Sequence, residues 1–321
     1  MKLHSLAISG LITLDLHSLN NEGSEGNHLQ TRQVEIVDEK GELHSVNAIS
    51  GDMLKHIQAE HLYLIGKESS LSFCDGCTNF DPNRINVDET IFKEFTKGNS
   101  PADTQIMDLV IKRCLGDDAE GILITKEIGG KKRAIGRKSV LEFGWVVGRP
   151  DKTRTESFFH VKFDKQARGK GAGSETGENV GQNIFHRPAS SGQYAVVLNV
   201  DLYRLGKNDI SMEYAIDSQE RKKRIQALLK SILFTFLKPN GAHRNTQNPH
   251  IVNFEGVIST SASSIPSPMI SALNSNYLEE IKNIAGYLNR LTTNSVAVKE
   301  FTNLEGFSKN MLDLIEGVEV N

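Results

Sequence analysis

The stretch "SGDMLKHIQAEHL" at residues 50–62 brings together Lys55, His56 and His61, residue types that hold metals, move protons or grip anions. Helical phase separates them. If the stretch is a helix, each residue turns roughly 100°, so His56 and His61 point about 140° apart and do not share a metal ion. The spacing H-x-x-x-E-H is also one residue longer than the metalloprotease pattern H-x-x-E-H. His61 falls among Leu54, Ile57 and Ile65, the pattern of a half-buried structural histidine. Lys55 and His56 fall on the polar side of the first two turns, behind Ser50 as N-cap and Gly51, which leaves backbone room for close approach. The first amides of a helix lack internal partners and carry partial positive charge, so cap, glycine, lysine and histidine together suit a phosphate. An ordinary capped helix with a solvated lysine fits the same residues.

Other chemistries are weaker. Cys74 and Cys77 form a single C-x-x-C in "FCDGCTNFDPNR". Structural zinc takes four ligands, the only further cysteine is Cys114, and no histidine lies nearby in sequence, so the pair reads as structural loop cysteines. Around Gly130 and Lys131, Thr125 and Lys132 break the phosphate-loop pattern. No G-x-S-x-G elbow is present. The run "GKKRAIGRK" at residues 130–138 suits phosphates or a solvated face. The first strand carries no aromatic, and Tyr194 shares a face with Val196 and Leu198. Nucleic acid would therefore be held by its backbone rather than by base stacking on the sheet.

Composition narrows the class. The 321 residues are 38% hydrophobic and 24% charged, enough for a packed core. A formal charge of −3 hides an uneven distribution. Residues 129–170 hold 12 Lys/Arg against 4 Asp/Glu, a net of +8, while residues 72–120 hold 5 against 10, a net of −5. One basic segment in a mildly acidic chain suits a local anionic partner. The opening "MKLHSLAISGLITLDL" is too interrupted for a secretory leader, and no apolar stretch reaches membrane-spanning length. Three cysteines suit a reducing compartment, so a soluble cytoplasmic protein is expected.

The elements that position these residues follow from periodicity. Leu6, Ile8, Ile12, Leu14 and Leu16 alternate with Ser5, Ala7, Ser9, Thr13, Asp15 and His17, predicting a strand with one face buried and the other open. A polar loop over residues 20–46 and a helix over 50–66 follow. "KTRTESFFHVKF" (152–163) and "GQYAVVLNVDLYRLG" (192–206) read as strands. Residues 218–237 read as a helix capped by Asp217, and "HIVNFEGVIS" (250–259) as a strand with Val252, Phe254 and Ile258 on one side. The order strand, helix, strand, strand, helix, strand is that of an α+β ferredoxin-like split βαβ fold. In that topology the loops at residues 20–50, 164–191 and 238–249 emerge at one end of the sheet and form a polar, partly basic cradle. The tail beyond residue 261 reads as helical near 276–292 and 307–315.

In combination these motifs are familiar. "AISGDMLKHIQAEHL" after a strand and polar loop resembles the helix-one signature of the DevR-type backbone subunit of CRISPR Cascade, the Cas-seven (DevR/Csa-type) family of type I systems. Asn20 with Asn21, "EGILITKE" (120–127), "ASSGQYAVVLNVDLYRLG" (189–206) and "KPNGAHRNTQNPH" (238–250) fit the same family, and the likeness runs to about Ser261. The resemblance implies a right-hand shape. A ferredoxin-like palm, a modified RNA-recognition fold, spans residues 1–66, 152–163 and 192–261. A fingers insertion spans 67–151, a thumb hairpin 164–191, and a partly helical tail at 262–321 completes the palm.

Family members polymerise along a CRISPR guide RNA, gripping its sugar-phosphate backbone and leaving bases to pair with a target DNA strand. The resemblance thus implies guide RNA, target DNA, copies of the chain and other Cascade subunits as partners. No cofactor, metal or membrane, and no enzymatic activity, is expected. The expected RNA contacts are Asn20, Arg32, Ser50, Gly51, Lys55, His56, Lys170, Arg187, Asn240, His243 and Arg244. Related subunits cut RNA with an Asp in the loop after strand one; Glu22, Glu25 and Asp38 stand there, with nothing to fix their geometry. The competing class is a ferredoxin-like CRISPR endoribonuclease with His56 as base, although its Gly-rich C-terminal loop is missing. A transcriptional regulator lacks a helix-turn-helix signature here.

Overall fold

A computed structural model describes residues 2–19, 21–25, 28–93, 95, 100–163, 182–240 and 247–320. The chain opens with β1 (Ser5–His17), β2 (Asn21–Glu25), β3 (His28–Thr31), β4 (Gln33–Val37), β5 (Leu43–Ile49) and α1 (Gly51–Glu68). An inserted region holds α2 (Asp75–Thr78), α3 (Asp103–Arg113), α4 (Leu115–Glu120), β6 (Ile122–Ile124), β7 (Glu127–Ile128), β8 (Lys131–Lys132), β9 (Ile135–Arg137) and β10 (Leu141–Phe143). Then come β11 (Val146–Phe163), β12 (Gln182–Val200), α5 (Ser218–Leu237), β13 (His250–Ser261), α6 (Tyr277–Leu291), β14 (Val296–Phe301) and α7 (Leu304–Gly317).

One sheet runs in the order β14-β13-β1-β12-β11-β5-β4. Its neighbours along that path pair antiparallel, so the fold is a mixed arrangement of helices and antiparallel sheet. The strands that flank α1 and α5 stand as β13-β1-β12-β11. On one face α1, α5 and α7 cover Leu6, Ile8, Ile12 and Leu14 with Leu54, Ile57, Leu228, Ile232 and Phe307. Each such side chain contributes roughly 1.5–3 kcal/mol when fully buried. The two long helices start where capping dictates: Ser50 Oγ accepts from the Met53 amide at 3.2 Å, and Asp217 Oδ1 from the Glu220 amide at 2.8 Å. His61 is buried in the seam between α1 and α5, its Nε2 3.0 Å from the Lys238 carbonyl.

Several expectations are corrected. The face of β1 read as open is covered: Leu11, Ala195 and Val257 pack with Ala272, Tyr277 and Ile281 of the chain beyond residue 261. Ser9 Oγ accepts from the Ile270 amide at 3.2 Å, which pins that covering segment to the sheet. Alternation seen within one strand cannot report a later segment folding back over it. The polar loop at 20–46 contains β2, β3, β4 and the start of β5, short strands whose polar residues hid their period. Strand β12 starts at Gln182 and stops at Val200, and residues Leu202–Arg204 turn as a 3-10 helix instead of extending to 206. Val252 is 61% exposed, because the pairing of β1 with β13 slips there and throws it off the face of Phe254. Among the described residues no helix is long and apolar enough to cross a membrane.

The inserted region has its own core of Ile85, Ile106, Met107, Val110, Ile111, Ile124 and Ile135. Leu115, Ala119 and Val140 join it to the main core, and a buried charge cluster adds a polar tie. Asp118 accepts from Arg137 Nη2, from Arg224 Nη1 at 2.8 Å and from the Gly206 amide at 3.0 Å. Arg137 also donates to the Lys207 and Arg204 carbonyls and reaches the Asp209 carboxylate at 3.4 Å, and Arg224 donates to the Ile111 and Lys112 carbonyls and through Nε to the Glu220 carboxylate at 3.0 Å. Asp118→Ala leaves two buried guanidinium groups short of a partner and is expected to cost about 3–5 kcal/mol. Chemical denaturation should show this as a lowered midpoint, whereas Arg154→Ala, at an exposed pair with Glu156, should leave the midpoint unchanged.

Candidate nucleic-acid interface

Beyond the end of β1, three segments distant in sequence meet at Pro188. Its carbonyl accepts from Ser18 Oγ at 2.6 Å and from Gln247 Nε2 at 3.1 Å. The loop after β1, the base of the β11–β12 hairpin and the segment before β13 thus share one end of the sheet. The β2–β3 hairpin joins them through His28, which stacks on His186 at 4.2 Å. Beneath lies a polar network: Tyr194 donates to Asn47 Oδ1 at 2.9 Å, and Asn47 Nδ2 donates to Thr31 Oγ1 and the Arg32 carbonyl. His17 packs edge-on against Tyr194 at 5.0 Å, and burial pushes its pKa down to about 4.

Arg32 lies here with its guanidinium 5.0 Å from the Trp145 ring, which is 44% exposed. Arg187 sits half-buried in β12 opposite Phe158. Asn240 is buried directly after Pro239 and does not face solvent as an RNA contact would. Asn20, Lys170, His243 and Arg244 lie outside the described residues. Trp145, Asn47, His17 and Gln247 were absent from the sequence expectation. The available signal was that Trp145 is the chain's single tryptophan and lies within its most basic segment.

Lys55 and His56 occupy a second place. They line a cleft of about 450 Å³ between α1 and the inserted region, with Tyr63, Phe80, Arg84 and Glu120. His56 is exposed. Lys55 Nζ donates to the Glu120 carbonyl at 3.0 Å and stands 3.9 Å from its carboxylate. Neither Glu120 carboxylate oxygen has a well-formed hydrogen bond, and burial pushes its pKa up to about 7. Burial also lowers the pKa of Lys55, which the Glu120 charge partly offsets. Desolvation thus outweighs attraction on both sides of this pair. The helix start differs from expectation. Ser50 spends its hydroxyl on the cap, and the space expected over Gly51 is filled by β10, where a Cβ would meet the Phe143 carbonyl at 2.4 Å.

Two groups of side chains among the described residues have metal-binding chemistry within reach of one another: Asp38, Glu42 and His44, and Cys74, Cys77, Cys114 and Asp117. The first belongs to the β4–β5 turn, where Asp38 accepts from the Lys40 and Glu42 amides at 2.9 Å. The second corrects the reading of an isolated C-x-x-C, because folding carries Cys114 and Asp117 to the pair.

A family model described as "CRISPR-associated negative auto-regulator DevR/Csa2" matches residues 8–282, from β1 into α6. The chain belongs to the DevR/Csa2 family. A curated relative from Methanocaldococcus jannaschii, "CRISPR-associated protein Cas7/Cst2/DevR", is 25% identical over 289 residues, covering 87% of this chain and 88% of the relative. A solved chain of a "CRISPR RNA-guided surveillance complex, pre-nicking" aligns with TM-score 0.51 at 11% identity, covering 97% of this chain and 99% of its own. Another, of a "CRISPR RNA-guided surveillance complex", aligns with TM-score 0.50 at 12% identity, covering 97% and 98%. At those identities the likeness is one of fold. The DevR/Csa2 match spans the inserted region, the cleft and the convergence at Pro188.

His17 and Glu120 impose opposite pH slopes. The folded pKa of His17 is depressed from 6.5 to about 4, so its contribution is present above 6.5 and lost as pH falls toward 4. That of Glu120 is raised from 4.5 to about 7, so its contribution is present below 4.5 and lost as pH rises toward 7. Relative to the unsubstituted chain, His17→Gln should gain stability as pH falls and Glu120→Gln as pH rises, each by up to about 1.4 kcal/mol per pH unit. Urea unfolding across that window measures both differences, and parallel curves would contradict the assignment.

Proposed function

We propose that this chain is a guide-RNA-binding backbone subunit of a CRISPR Cascade surveillance complex and not an enzyme. In this reading β13-β1-β12-β11 with α1 and α5 forms a ferredoxin-like palm, the inserted region the fingers, and the β11–β12 hairpin the thumb. Copies of the chain polymerise along the RNA and present it to a target DNA strand beside other Cascade subunits. The observation that carries the reading is the convergence of three loops at Pro188 beside the Arg32–Trp145 pair. Both faces of the sheet are covered, so RNA is held at the sheet's end and edges by its backbone.

Arg32 and Arg187 grip phosphates on the hairpin side, and Lys55 and His56 do so from the cleft. Ser50 and Gly51 set the start of α1, and the buried Asn240 supports the cradle without touching phosphate. The proposed contacts of Asn20, Lys170, His243 and Arg244 rest on sequence. A second reading, an endoribonuclease using His56, is favoured by the cleft that puts His56 with Lys55 and the protonatable Glu120. Filter binding of single-stranded guide RNA over a salt series tests the scaffold. Lys55→Ala with His56→Ala, and separately Arg32→Ala, should each weaken binding about tenfold and flatten the salt slope by about 0.7 per lost contact. Unchanged affinity in both variants would sink the reading, and metal-free cleavage of precursor RNA abolished by His56→Ala would favour the enzyme.

A further inference from the structure

All three cysteines of the chain, the Cys74–Cys77 pair and the distant Cys114, are drawn to one point beside Asp117. They arrive on two turns of the same design. In the first, Cys74 caps α2, and its sulfur accepts from the Cys77 amide at 3.3 Å. In the second, Cys114 caps α4, and its sulfur accepts from the Asp117 amide at 3.3 Å. The sequences are C-D-G-C and C-L-G-D, with glycine third in each. Gly116 lets the second turn close on the first, and Gly76 lets the first turn close on the backbone at Arg84. A Cβ on Gly116 would stand 2.8 Å from Cys77 Sγ, and one on Gly76 would stand 2.1 Å from the Arg84 carbonyl.

The four ligand atoms lie within 4.8 Å of one another, and a tetrahedron with Zn–S bonds of 2.3 Å has edges of about 3.8 Å. Cys74 Sγ is 3.2 Å from Asp117 Oδ2, and Oδ1 of the same buried carboxylate has no hydrogen-bond partner. No disulfide joins the cysteines. Four acidic groups crowded together, three of them buried, with amides aimed at two of the sulfurs, form an arrangement that a dication completes. We propose that Cys74, Cys77, Cys114 and Asp117 bind one structural Zn²⁺ that staples α2 to α4. Soft thiolates select zinc over Mg²⁺ or Ca²⁺, and four protein ligands leave no open position for catalysis. Binding releases the thiol protons to solvent.

The full chain, purified under reducing conditions, is assayed for metals by mass spectrometry. About one zinc per chain is expected, and chelation after thiol modification should release it and lower the melting temperature by several degrees. Because Cys74→Ser or Cys114→Ser could unfold the inserted region, Cys77→Ser at the half-buried corner and Asp117→Asn serve as milder variants. Each should lower zinc affinity at least tenfold with the secondary structure intact. Co²⁺ added to the metal-stripped chain should give tetrahedral ligand-field bands with thiolate charge transfer, weaker in Cys77→Ser. The proposal is overturned by less than a tenth of a zinc per chain that zinc addition does not raise, by stoichiometric iron, by a six-coordinate Co²⁺ spectrum, or by a Cys74–Cys77 disulfide in the freshly isolated chain.

Discussion

The structure turns on a buried carboxylate. Asp118 stands at 0% exposure and is held by Arg137, Arg224 and the Gly206 amide. A charge so far from water persists only with near-complete partnering. That requirement fixes where four pieces of chain go: α4 supplies the acid, β9 and α5 the arginines, and the turn after β12 an amide. It explains why β12 ends at Val200. A strand continued to residue 206 would carry the Gly206 amide and the Arg204 and Lys207 carbonyls away from Asp118 and Arg137. Helix α4 has only six residues, all buried, yet Asp117, Asp118 and Glu120 serve three different surroundings. An 18-residue helix such as α1 is held by its apolar face, whereas α4 is held by what its polar groups must meet.

Coverage of the sheet decides what sort of partner the chain can take. An open sheet with aromatic residues would suit stacked bases. Here α1, α5 and α7 occupy one face, and the segment leading into α6 occupies the other. Among the described residues, accessible surface includes Arg32 and Trp145 near the buried Ser18–Pro188 junction, Phe158 and Phe159 of the β11–β12 hairpin, and the cleft beside α1. These surfaces offer guanidinium, ammonium, imidazole and one exposed indole. Such groups meet phosphates and sugars irrespective of base identity, which is the kind of contact the proposed role calls for.

Where one element's own pattern determines its burial, the sequence was legible. Helix α5 begins at its Asp217 cap and ends at Leu237 as the periodicity indicates, and His61 falls in the buried seam that its phase assigned. What failed depended on a second segment arriving from elsewhere. Ser5, Ala7 and Ser9 are small enough to read as solvent-facing, yet they are small because a later segment packs closely on them. Val252 looked like a core residue because alternation assumes an unbroken register, which the slip against β1 breaks. Gly51 was legible as a point of close approach, but its neighbour proved to be the Phe143 carbonyl. The repeated C-x-G-C and C-x-G-D turns were present in the sequence, yet only folding shows that they oppose each other.

The thiol cluster and the α1 cleft are not independent. Cys77 and Gly116 line the cleft as well as the cluster, and Arg84 reaches both Gly121 and the field of Asp117. The wall facing Lys55 and His56 is therefore made of the two turns that carry the sulfurs. If those turns separate, the backbone supporting Arg84 and Glu120 moves, and Lys55 loses the carbonyl that orients its ammonium. A structural metal at the cluster would thus set the shape of the cleft without touching anything bound in it. It would add to the apolar core of the insertion, in which Cys74 and Cys114 already pack with Ile85 and Ile111.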